Sequence, residues 1–154
     1  MKFSTQEDIE APQAFVFDRV SDFAAFESRV RHHGAQVERK DQAAPKVGSR
    51  WDVRFPFRGK SRHLRVTLAG LEPSQGYQLD SESDGMMAQT DVMLVALSPS
   101  RTRLIVGIDV RARTLTARLL LQSMKLAKQK LSKRFKARVL DYAEDIEDAY
   151  RQSG

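Results

Sequence analysis

Trp51-Asp52-Val53-Arg54-Phe55-Pro56-Phe57-Arg58 alternates a large apolar residue with a charged residue or proline over eight positions. Successive side chains of a strand point to opposite faces, so this octad predicts a half-buried strand with one aromatic face. Just upstream, Lys46-Val47-Gly48-Ser49 reads as a turn, and Gln36 to Lys40 as a short strand. Downstream, Gly59 turns the chain into a strand in which Leu64, Val66 and Leu68 alternate with Arg65 and Thr67. Tyr77 and Leu79, Met86 to Leu97, and Arg103 to Val110 supply three more strands. Asp84-Gly85 and Ser98-Pro99-Ser100 separate them. The run 92–97 is apolar on both faces, so periodicity leaves its register open.

On both sides of this block the period changes. Residues 2–10 predict a strand (Phe3, Thr5, Ile9), after which Ala11-Pro12 opens a short helix carrying Phe15, Val16 and Val20. Asp22 caps a second helix, 22–33, with Phe23, Phe26 and Val30 on its buried stripe and Gly34 as its stop. At the other end, residues 114–151 contain neither proline nor glycine and predict a single helix of roughly 50 Å. Leu120, Met124, Ala127, Leu131, Phe135, Val139, Tyr142 and Ile146 step by three and four along it. Strands in one block with helices at its flanks, and no βαβ alternation, predict an α+β fold with an antiparallel sheet.

The chain has 154 residues, enough for one domain (1–154) that buries about 70% of its unfolded surface without disulfides or metal. It contains no cysteine, which excludes a disulfide framework, a thiolate metal site and a cysteine nucleophile. No apolar run approaches the roughly 18 residues of a membrane span, and no signal-peptide core is visible, so a cytoplasmic location is expected. The net charge of +6 is local: residues 1–110 carry 15 basic and 15 acidic side chains, and the excess lies beyond them. Arg111 to Arg138 holds ten basic residues and no acid, and then Asp141, Glu144, Asp145, Glu147 and Asp148 reverse the sign. Charge confined to one helix predicts no sequence-specific nucleic-acid recognition.

Candidate chemistry is sparse. His32 and His33 are adjacent on a helix, so they diverge by about 100° and suit a helix end better than one metal ion. His63 reads as an exposed strand residue, and the acids 141–148 as a solvated helical side, since a helix cannot converge them as a calcium loop does. No phosphate loop, serine elbow or HExxH is present. No catalytic residue, metal ligand or cofactor is assigned.

The element order resembles the START-like or SRPBCC superfamily (birch-pollen-allergen-like, polyketide cyclase and lipid transport proteins), and so do several local stretches. These are Ile9-Glu10-Ala11-Pro12, Val20-Ser21-Asp22-Phe23, Val47-Gly48-Ser49-Arg50-Trp51, Arg101-Thr102-Arg103-Leu104 and the long terminal helix. The resemblance implies a helix-grip fold: a curved antiparallel sheet wrapped around the C-terminal helix, two short helices closing one end, and an apolar cavity between sheet and helix. The prolines typical of the coenzyme Q-binding branch are absent from Asp22-Phe23-Ala24-Ala25-Phe26-Glu27-Ser28.

On that fold, Trp51, Val53, Phe55 and Phe57, with Val66, would form one wall and Met124, Leu131, Phe135 and Tyr142 the other. Tyr77, Gln89, Asp91 and Tyr142 would supply polar handles, and Lys128, near the centre of the stripe, would snorkel or meet an anionic head group. Arg118, Lys125, Lys133 and Lys136 would face outward as a basic strip, suited to an anionic membrane or an acidic partner. The expected function is binding or carriage of a hydrophobic or amphipathic, lipid-like molecule. The alternatives are a polyketide cyclase or aromatase, and an adaptor whose basic helix contacts acidic protein, RNA or membrane.

Overall fold

The computed structural model describes residues 1–41 and 43–154. One sheet carries seven antiparallel strands in the order β1-β7-β6-β5-β4-β3-β2. These are β1 (Lys2–Ile9), β2 (Gln36–Arg39), β3 (Arg50–Phe57), β4 (Lys60–Glu72), β5 (Gly76–Ser83), β6 (Met86–Ser98) and β7 (Arg101–Ala112). Only the β1–β7 pairing is non-sequential, and it places the first and last strands side by side at one edge. The sheet is curved, and register shifts at Leu68/Gly70 and Ala96/Ser98 mark two bulges, which bend the strands that contain them. Pro56 is tolerated because β2 covers β3 only as far as Arg54, so its missing N–H falls on an uncovered edge.

Two short helices, α1 (Gln13–Val20) and α2 (Phe23–His32), follow β1. Asp22 caps α2 through Ala25 N at 3.0 Å, and His33 Nδ1 lies 2.8 Å from the Arg29 carbonyl at its other end. The terminal segment is α3 (Leu115–Leu126) followed by α4 (Lys128–Ser153). α4 lies over β1, with Phe135 against Phe3 (6.0 Å between rings), and meets α1 through Tyr150 against Phe15 (5.0 Å). Two of the acids near its end are held: Glu147 accepts from the Glu10 N–H at 2.8 Å, and Glu147 and Asp148 both pair with Arg151. Among the described residues no helix is long and apolar enough to cross a membrane.

The single helix predicted over 114–151 is corrected to two. Ala127 leaves helical geometry (φ −102°, ψ 16°) with neither proline nor glycine present. Lys125 faces Lys128 and Lys130, three and five residues on, and these cations repel across this point. The two pieces also pack on different supports, α3 on β7 and α4 on β1.

Candidate functional site

The concave face of the sheet is set by the register of three strands. Trp51, Val53 and Phe55 of β3 face the same way, opposite Val66, Leu64 and Arg62 of β4. Tyr77 and Leu79 of β5 continue the surface, and α2 covers it with Phe23, Phe26, Glu27 and Val30. Between α2 and the strands lies a cavity of about 350 Å³, within the range of roughly 300–1,000 Å³ typical of small-molecule sites. Trp51 meets Phe23 at 5.5 Å, and Phe23 meets Tyr77 edge-on at 5.1 Å.

The polar atoms of this wall are bound to the protein itself. Trp51 Nε1 donates to Glu27 Oε1 at 2.9 Å, and Arg39 Nε lies 3.4 Å from the same oxygen. The Tyr77 hydroxyl donates to the Val20 carbonyl at 2.7 Å. Burial, with the neighbouring Tyr142 as a lesser cause, pushes the Tyr77 phenol above the ordinary tyrosine range. What remains facing the cavity is predominantly carbon.

Phe26 and Tyr77 also border a second hollow of about 440 Å³, lined by Val92, Val106, Phe135 and Tyr142. The exposed Arg29, Arg138, Asp141 and Asp145 line it as well. The Arg29 guanidinium lies over the Phe26 ring at 5.5 Å and the Tyr142 ring at 5.8 Å. Burial pushes the Tyr142 phenol up to about 12, against the opposing pull of Arg29 and Arg19. A third hollow of about 440 Å³ lies between the β3–β4 turn and α3, bordered by Phe55, Phe57, Met86 and Leu120. A further hollow shares Val30 and Val53 with the first and Phe55 with the third. Apolar surface therefore runs along the concave face from Tyr142 to Phe57.

Trp51, Val66 and Tyr77 fall on the first cavity, Phe135 and Tyr142 on the second, and Phe55 and the half-exposed Phe57 on the third. Met124 and Leu131 are half-buried on their helices but line none of these hollows, and Lys128 is exposed at the first position of α4. The helix facing the Trp51 row is corrected from the long terminal helix to α2. Gln89 and Asp91 are corrected to the convex face: Val92 pairs with the inward Tyr77, so Asp91 turns outward opposite Gln78, and Gln89 opposite Asp80. Asp91 there accepts from Gln78 Nε2 at 2.6 Å. Arg118, Lys125, Lys133 and Lys136 are all exposed.

Phe23, Phe26, Glu27 and Arg39 are site residues that the sequence reading did not single out as such. A signal existed for Glu27: it sits in the Phe23/Phe26/Val30 spacing of three and four, a carboxylate on an apolar stripe. His63 lies on the convex face, 2.9 Å from Asp52 Oδ1, with Lys40 Nζ 2.6 Å from Oδ2.

No family model and no curated protein sequence matches the chain. Solved structures do. The Zhui aromatase/cyclase from Streptomyces sp. R1128 superposes with a TM-score of 0.62 at 14% identity, over 94% of this chain and 93% of that one. Ara h 8.0201 gives 0.58 at 12% identity, over 92% and 98%. A START superfamily protein from Mycobacterium smegmatis gives 0.52 at 19% identity, over 86% and 95%. With its curved antiparallel sheet, two short helices and long terminal helix, the chain has the helix-grip fold that these solved structures share.

Proposed function

We propose that residues 1–154 form one cytoplasmic binding domain that takes up an apolar or amphipathic, lipid-like small molecule between α2 and strands β2–β5. The observation that carries this reading is the cavity of about 350 Å³ whose wall polar groups, on Trp51, Glu27 and Tyr77, are bonded to the protein. Such a wall grips by shape and by removing apolar surface from water, so size rather than a directional bond selects the ligand. With Tyr77 held protonated and committed to Val20, the lining favours binding over acid–base catalysis of the cyclase kind.

Trp51 is the only tryptophan and lines the cavity, so it reports occupancy directly. Native mass spectrometry of freshly purified protein is expected to show a co-purifying mass that extracts into organic solvent. Titration of the stripped protein with long-chain fatty acids or anilinonaphthalene sulfonate is expected to change Trp51 emission saturably. The absence of both a bound mass and any Trp51 response to these probes would remove the proposal.

A further inference from the structure

Helix α3 is the least covered element of the molecule. Leu115, Leu119 and Leu126 are 74%, 58% and 93% exposed. At about 100° per residue these three lie within about 40° of one another, a single outward row. Ala117, Leu121 and Met124 take the opposite, inward side, as their burial confirms. Arg118 and Lys125 flank the leucine row on one side, about 60–80° from Leu115. The outward side of α3 is therefore a second apolar stripe, which folding leaves in water.

The neighbouring turn has the same character. Phe57 is 48% exposed at the β3–β4 turn, with Arg58 over its ring at 5.3 Å, and Lys60 follows. This turn and α3 border the third hollow together, at the Phe57 end of the apolar run described above. Among the described residues, no ion pair joins any cation from Arg113 to Arg138 to an acid. The acid of this region, Asp84, pairs with Arg62 at 3.4 Å.

We propose that α3 and the β3–β4 turn dock on an anionic lipid bilayer, with Leu115, Leu119, Leu126 and Phe57 entering the interface and Arg118, Lys125 and Arg58 meeting headgroup phosphates. Leucines at the centre with cations at the flank is the arrangement of a helix lying in a membrane plane. Positive charge without an acid partner from Arg113 to Arg138 is complementary to an anionic headgroup layer. Docking here sets the mouth of the third hollow against the bilayer, and a ligand could pass without crossing water. The docking itself does not depend on the cavity being filled.

The test is flotation of the full chain with vesicles of phosphatidylcholine alone and with added phosphatidylserine, at low and physiological salt. Binding is expected to the phosphatidylserine vesicles, weaker as salt rises. Leu119→Glu and Leu126→Glu change exposed positions; each is expected to lower partitioning by about ten-fold or more, the worth of one inserted leucine. Lys125→Glu is expected to lower it about five-fold or more. Unchanged melting and unchanged Trp51 response to anilinonaphthalene sulfonate would separate this result from damage to the fold or cavity. No flotation at low salt overturns the proposal. So does loss of flotation in Lys133→Glu/Lys136→Glu while the leucine variants still float, which would move docking to α4. Self-association in sedimentation velocity that Leu119→Glu abolishes, without flotation, would make the face an interface between copies and overturn it too.

Discussion

Glu27 is a carboxylate at a helical position that periodicity assigns to the core, and it is 7% exposed. Taking an ion out of water costs several kcal/mol unless other groups replace the lost hydration. Trp51 Nε1 and Arg39 Nε do this, both at Oε1. The indole is thereby fixed by its edge to α2 while its face lines the cavity. Trp51→Phe keeps the aromatic bulk and removes the donor, so the expected loss is about 1–3 kcal/mol. Glu27→Leu in the same chain removes the carboxylate that has lost this donor. Trp51→Phe/Glu27→Leu is therefore expected to be more stable than Trp51→Phe alone, in urea unfolding followed by circular dichroism. Costs that simply add would show that the two side chains are not coupled.

At the scale of elements, β2, β3 and β4 are tied on their convex side by one carboxylate. Hydrogen bonds from Lys40 first, then from His63, hold Asp52 below its ordinary value of 3.8. A depressed folded value means that this contribution is complete above about pH 4, where the unfolded carboxylate is also ionised, and fades as pH falls through the folded value. The gap in urea midpoint between the native chain and Asp52→Asn is therefore expected to hold near neutrality and to narrow as the pH falls below about 4. A gap that stays constant on acidification would assign it to packing instead. The elements themselves were legible where the pattern is local: the β3 octad, the cap at Asp22, and the Asp84-Gly85 turn, with φ +49° and +80°. The register of β6 was not, because apolar residues on both faces of 92–97 leave the choice to pairing with Tyr77, and Gln89 and Asp91 were misplaced with it. Nor was the break at Ala127, which no proline or glycine announces and which follows from where α3 and α4 find support. Glu27 went unremarked because helical spacing records which side of α2 is buried, not how a charge there is satisfied.

At the scale of the molecule, the apolar hollows of the concave face and the well-filled region under α1 and α4 should respond oppositely to a change of volume. Ile146, with 2% exposure, and the fully buried Ile9 and Val16 belong to the filled region. Ile146→Ala leaves a void there and is expected to cost about 2–5 kcal/mol, with Trp51 still responding to apolar probes. Val53 lines the cavity between Trp51 and Phe55 and is only partly covered. Enlarging a side chain in a packed core costs about 1–3 kcal/mol through strained rotamers, but an added ring at position 53 has empty volume to enter. Val53→Phe is therefore expected to keep or raise the urea midpoint while weakening uptake of anilinonaphthalene sulfonate by about ten-fold or more, since the ring occupies ligand space. Measuring both quantities on both variants decides the matter. If Val53→Phe loses stability as a core position would and leaves uptake unchanged, the space between α2 and the sheet is not where the probe binds.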